Sequence, residues 1–96
     1  MKIVIQKFGD VLTSRQSGRE AYGAFQPTLK ELAKDEQLTL DFEGVEVLSP
    51  SWADEFLTPL LQVLGHRLTL AHTSNASVKL TIETLEGILK RSFQVQ

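Results

Sequence analysis

The reactive side chains of this 96-residue chain gather in a few short stretches. Ser49-Pro50-Ser51 runs directly into Trp52-Ala53-Asp54-Glu55. A Ser-Pro-Ser turn ahead of a periodic apolar run opens a helix. Ser49 can be the N-cap with Pro50 at the first helical position, or Ser51 can be the N-cap with Asp54 as a capping-box partner. In both cases a hydroxyl stands at the positive end of a helix. A phosphate there would meet free N–H groups and a favourable dipole. The plainer use of both serines is to cap the helix. Asp54 and Glu55 fall in its first turn, where carboxylates complement the dipole.

Arg15 and Arg19 flank a Ser/Gly stretch. A guanidinium suits bidentate contact with phosphate or carboxylate, and the plainer expectation is a solvated or salt-bridging pair. Asp41, Asp54 and Glu55 are the carboxylates that Arg15 could face. Enzymatic chemistry has little to stand on. Ser51, His72 and Asp41 supply the residue types of a triad without its motif, and no Gly-x-Gly-x-x-Gly, P-loop, His-Glu-x-x-His or Gly-x-Ser-x-Gly occurs. There is no cysteine. His66 and His72 have a spacing unlike a metal pair and are expected in structural or surface roles. No catalytic residue, metal ligand or cofactor is expected.

The elements that position these residues follow from periodicity. Lys2-Ile3-Val4-Ile5-Gln6-Lys7-Phe8 reads as a strand ending at the Gly9-Asp10 turn, with Val11-Leu12-Thr13 returning as a short second strand. Ser17 and Glu20 fit a capping box. Ala21, Phe25, Leu29 and Leu32 then form one apolar helical face. Pro27 should kink this helix or divide it. Leu38-Thr39-Leu40-Asp41-Phe42 alternates as a strand, and Val45-Glu46-Val47-Leu48 is a second apolar run. Trp52, Ala53, Phe56, Leu57, Leu60, Leu61 and Leu64 are spaced by three and four. Pro59 should bend their helix, and Gly65 suits a left-handed C-terminus. Arg67 to His72 is the next strand. Thr73-Ser74-Asn75 caps a last helix carrying Val78, Ile82, Leu85 and Leu89, with Lys90 and Arg91 in its final turn.

Alternating strands and helices predict one α/β domain over residues 1–96, with a mainly parallel (mixed) sheet and about three helices packed on it. Function in such sheets sits at the carboxyl ends of the strands, here Glu43 to Ser51 and His72 to Asn75. A formal net charge of −2, with scattered Lys and Arg, argues against nucleic acid. No apolar run approaches a membrane span, so no membrane insertion is expected, and the cytoplasm is the default compartment.

The stretch Leu38 to Phe56 resembles the signature of STAS domains, the anti-sigma-factor antagonist fold. More specifically, the chain is similar to small STAS-like domains of unknown function. Their pattern is close to Gly-x-x-Leu-x-Ser-Arg, then Asp-Phe-x-Gly-Val, then Ser-x-Ser-Phe-Ala-Asp-Glu. This chain has Gly9, Leu12, Ser14-Arg15, Gly18-Arg19, Asp41-Phe42-Glu43-Gly44-Val45 and Ser49-Pro50-Ser51-Trp52-Ala53-Asp54-Glu55-Phe56. The resemblance implies a non-enzymatic regulatory module. Its protein partner would be an ATP-binding, kinase-like regulator of the histidine-kinase ATPase fold. The docking face would be the turn 49–55, with Ser49, Pro50, Ser51, Trp52, Asp54, Glu55, Arg15 and Arg19 as candidate contacts. Ser51 and Ser49 are the candidate phosphorylation sites. The antagonists' Asp-Ser-Ser turn aligned here puts Ser49 at the Asp and Pro50 at the first hydroxyl, which leaves Ser51 at the second. Trp52 replaces a small glycine and is either core or an interface anchor. Two alternatives remain open: a structural or homodimeric subunit, for which exposed Trp52 and Phe93 would be the clue, and a small ligand-binding or enzymatic subunit using Arg15, Arg19, Asp41 and Ser51.

Overall fold

Four short strands carry the central sheet of the computed structural model, which describes residues 1–96. They are β1 (Lys2–Val4), β3 (Leu38–Asp41), β5 (Leu68–Ala71) and β6 (Gln94–Val95), adjacent in that order and all parallel. A second, two-stranded parallel sheet joins β2 (Val11–Leu12) to β4 (Val47–Leu48). Three helices complete the domain: α1 (Arg15–Lys30), α2 (Pro50–Leu64) and α3 (Ala76–Leu89). This is the expected α/β class, with a parallel sheet and three helices.

The core forms where the periodicities meet. All seven residues of the α2 stripe, Trp52 to Leu64, are buried. They pack with Leu38, Leu40, Leu68 and Leu70 from the sheet and with Phe25, Val78, Ile82 and Leu85 from the other helices. Phe56 is the aromatic hub. Its ring centroid lies 5.1 Å from Trp52, 5.4 Å from Phe8 and 5.7 Å from Phe25, and Tyr22 meets it edge-on. Gly18 lets α1 approach α2. A Cβ there would stand 2.5 Å from the Trp52 carbonyl oxygen, which is closer than atoms can pack.

Several local expectations are corrected. The first strand stops at Val4, and Ile5–Phe8 form a 3-10 turn. A strand would send Ile5 and Phe8 to opposite faces, whereas i and i+3 eclipse in a 3-10 turn. Ile5 is fully buried and Phe8 packs against the core, so the turn is favoured. β2 makes no hairpin with β1 and pairs with β4 instead. Helix α1 starts earlier than expected. Its N-cap is Ser14, whose hydroxyl accepts the Ser17 N–H at 3.0 Å, so the Ser17–Glu20 box does not form. Neither proline divides its helix. Pro27 sits four residues after exposed Gly23, whose carbonyl can turn to water, and buried Leu57, Leu60 and Leu61 hold α2 together around Pro59. Lys90 ends α3 in a left-handed conformation at φ 54°, and no basic residue lies in the final turn. β6 was not expected. Two residues carry no periodicity, and the strand exists because Phe93 is buried and Gln94 and Val95 register against Thr69 and Leu70.

Candidate functional site

Ser49 settles how α2 begins. Its backbone is extended and its hydroxyl accepts the Trp52 N–H at 3.2 Å. The same hydroxyl donates to the Thr13 carbonyl at 2.6 Å, tying α2 to the segment that follows β2. Pro50 takes the first helical position, where no intrahelical donor is needed. Ser51 is therefore not the cap, and its half-buried hydroxyl makes no hydrogen bond within the chain.

Asp54 and Glu55 lie beyond the first turn, which holds no acidic residue. They serve α1 rather than the dipole. Arg15 Nη1 donates to Asp54 Oδ2 at 2.9 Å and to Glu55 Oε2 at 2.8 Å, and Arg19 Nε donates to Glu55 Oε1 at 3.0 Å. Starting α1 at Arg15 makes this geometry, because residues four apart share a helical face. The Arg15 bond, with help from Thr58, holds the Asp54 carboxyl below its usual range. Arg19 and then Arg15 lower Glu55, and the two carboxylates in turn raise the Arg15 guanidinium. Both arginines remain substantially exposed.

Trp52 is 1% exposed and stacks on Phe56. It is a core residue and presents no anchor at the surface. Phe93 is also buried, so neither clue to self-association is present. The enzymatic grouping of Arg15, Arg19, Asp41 and Ser51 does not assemble. Both arginines are engaged on α2, while Asp41 belongs to a different cluster.

That second cluster lies at the carboxyl ends of β3 and β5. Asp41 is buried and ionised. Its Oδ1 accepts the Glu43 N–H at 2.9 Å and faces His72 Nδ1 at 2.7 Å, while Lys2 Nζ stands 3.2 Å from Oδ2. The Glu43 N–H, followed by His72 and Lys2, lowers the Asp41 carboxyl against the opposing effect of burial. His72 holds its place with a left-handed backbone at φ 55°. Ligand atoms of Asp41, Glu43 and His72 lie within 4.8 Å of one another, so this is where the fold could hold a metal ion. Spacing along the chain hides this cluster. Asp41 and His72 are 31 residues apart and meet only because Asp41 registers beside Ala71.

The parallel sheet flanked by helices, with a serine-bearing helix start at its edge, is a STAS-like arrangement. A family model for the STAS-like domain of unknown function (DUF4325) matches residues 25–78, more than half of the chain, and the chain belongs to this family. The matched segment includes the 49–55 turn and Asp41, Glu43 and His72, while Arg15 and Arg19 precede it. No curated protein and no solved structure matches the chain. No helix is long and apolar enough to cross a membrane.

Proposed function

We propose that this domain is a non-enzymatic regulatory module that docks a protein partner through the turn 49–55 in the cytoplasm. By family resemblance the partner is an ATP-binding, kinase-like regulator with the histidine-kinase ATPase fold, and phosphorylation of Ser51 switches docking. One observation carries the choice of serine. The Ser49 hydroxyl is committed both as donor and as acceptor, whereas the Ser51 hydroxyl has no partner within the chain. Modifying Ser49 would break the cap and its tie to Thr13. Modifying Ser51 would leave both intact.

A phosphate adds nearly two negative charges. On Ser51 it would stand three and four residues before Asp54 and Glu55, on the same side of α2. It would compete for Arg15 and raise the negative potential of the docking face. The test is calorimetric titration of the kinase-like partner with wild type, Ser51→Ala and Ser51→Asp. Ser51→Ala should retain affinity and Ser51→Asp should lose ~10-fold or more, equivalent to about 1.4 kcal/mol. Equal affinities would remove the switch.

A second reading, a homodimeric subunit, draws support from Leu80 and Ile88. Both lie on α3, 65% and 68% exposed. Sedimentation across the micromolar range should show a concentration-dependent dimer that Leu80→Glu abolishes, and a monomer throughout would end this reading.

A further inference from the structure

We propose that Asp41, Glu43 and His72 bind a single divalent transition-metal ion of the zinc class. The donor set mixes one imidazole with two carboxylates, which suits zinc, cobalt, nickel or manganese better than calcium. Two neighbouring parallel strands deliver it to the carboxyl edge of the sheet, where open α/β sheets bind ligands. Two carboxylates stand against the single Lys2 ammonium, an excess of negative groups that favours a cation.

The geometry is close to what one ion requires. Donors on a four-coordinate zinc, with bonds of about 2.0–2.1 Å, stand ~3.3 Å apart. Here Asp41 Oδ1 and His72 Nδ1 are hydrogen-bonded at 2.7 Å and would part by ~0.6 Å to share an ion, while the three donors span no more than 4.8 Å. Asp41 is buried and fixed by the Glu43 N–H, while the Glu43 and His72 side chains are exposed and free to adjust. A hollow of about 440 Å³ opens beside them, edged by the oxygen-bearing Glu46, Ser74 and Asn75. Three protein ligands leave a fourth position for water or an incoming side chain. The exposed Lys2 ammonium, 3.2 Å from the other carboxylate oxygen Oδ2, competes electrostatically with an ion at Oδ1.

The test uses the untagged full chain titrated with zinc chloride by calorimetry and with cobalt(II) by visible absorption. Circular dichroism checks that each variant is folded. One equivalent of zinc should bind, and His72→Ala should weaken binding ~10-fold or more. His66→Ala should leave affinity unchanged. Lys2→Gln should tighten it, because the competing ammonium is gone. Absence of saturable zinc binding up to ~1 mM, or equal binding by wild type and His72→Ala, would overturn the site. Equal or weaker binding by Lys2→Gln would overturn the use of Asp41 as a ligand.

Discussion

The α1–α2 face and the β3–β5 edge use the same side-chain types, carboxylates facing cations, in opposite surroundings. On the helical face, Arg15 and Arg19 meet Asp54 and Glu55 with all four side chains partly open to water, from 23% exposed at Glu55 to 68% at Arg19. At the sheet edge, Asp41 is 3% exposed and is held by a backbone N–H, an imidazole and an ammonium. Charges in water exchange partners at little cost. A buried carboxylate depends on every hydrogen bond it makes. The ion pairs of the helical face are therefore free to rearrange, whereas at the sheet edge the buried Asp41 is fixed and only its exposed neighbours Glu43 and His72 can move.

The largest expected effect lies beneath the helical face. Trp52→Ala should cost about 3–5 kcal/mol in chemical denaturation, because it opens a cavity against Phe56. A loss below about 1 kcal/mol would mean that Trp52 is not the core residue described. Next comes the contrast itself. Asp41→Ala should cost about 1.5–3 kcal/mol through lost charged hydrogen bonds. Asp54→Ala should cost at most about 1 kcal/mol, as exposed pairs do. Similar losses from the two substitutions would break the distinction between the regions.

Acid provides a smaller and graded effect. Asp41, Asp54, Glu55 and Glu36 all have carboxyls lowered in the folded state, so the unfolded chain binds more protons through this range. Their stabilisation is complete above the unfolded values of about 4 and is lost as pH falls through the lower folded values. Melting temperature should decline below that point. The decline should be shallower in Asp54→Asn with Glu55→Gln, and an unchanged slope would assign the acid sensitivity to Asp41 and Glu36. The smallest effect is salt. Raising it to ~1 M, where the Debye length shrinks to about 3 Å, should narrow the difference between wild type and Arg15→Ala without abolishing it, because the contacts at 2.8–2.9 Å are direct.

The two regions also differ in how far the sequence exposes them. The apolar stripe of α2 repeats by three and four over four turns, and every residue it marks is buried. The sequence leaves Asp41, Asp54 and Glu55 open as partners of Arg15, and the packing of α1 on α2 selects the last two. The choice between Ser49 and Ser51 as cap is not visible in the motif, because either hydroxyl fits the spacing and the Thr13 carbonyl decides it. The 3-10 turn at Ile5–Phe8 was hidden by β-branched composition, since burial against Trp52 and Phe56 overrides local preference. The Asp41–His72 contact depends on strand register alone, which no single segment encodes.

The most direct test of the switch is to recover the tagged protein from its own host and read intact mass, modified residue and co-purifying partner by mass spectrometry. An ATP-binding, kinase-like partner should co-purify, with a chain fraction carrying one phosphate on Ser51 and Ser49 unmodified. A chain that is unmodified under every growth condition, or a phosphate on Ser49 with Ser51 free, would contradict the switch.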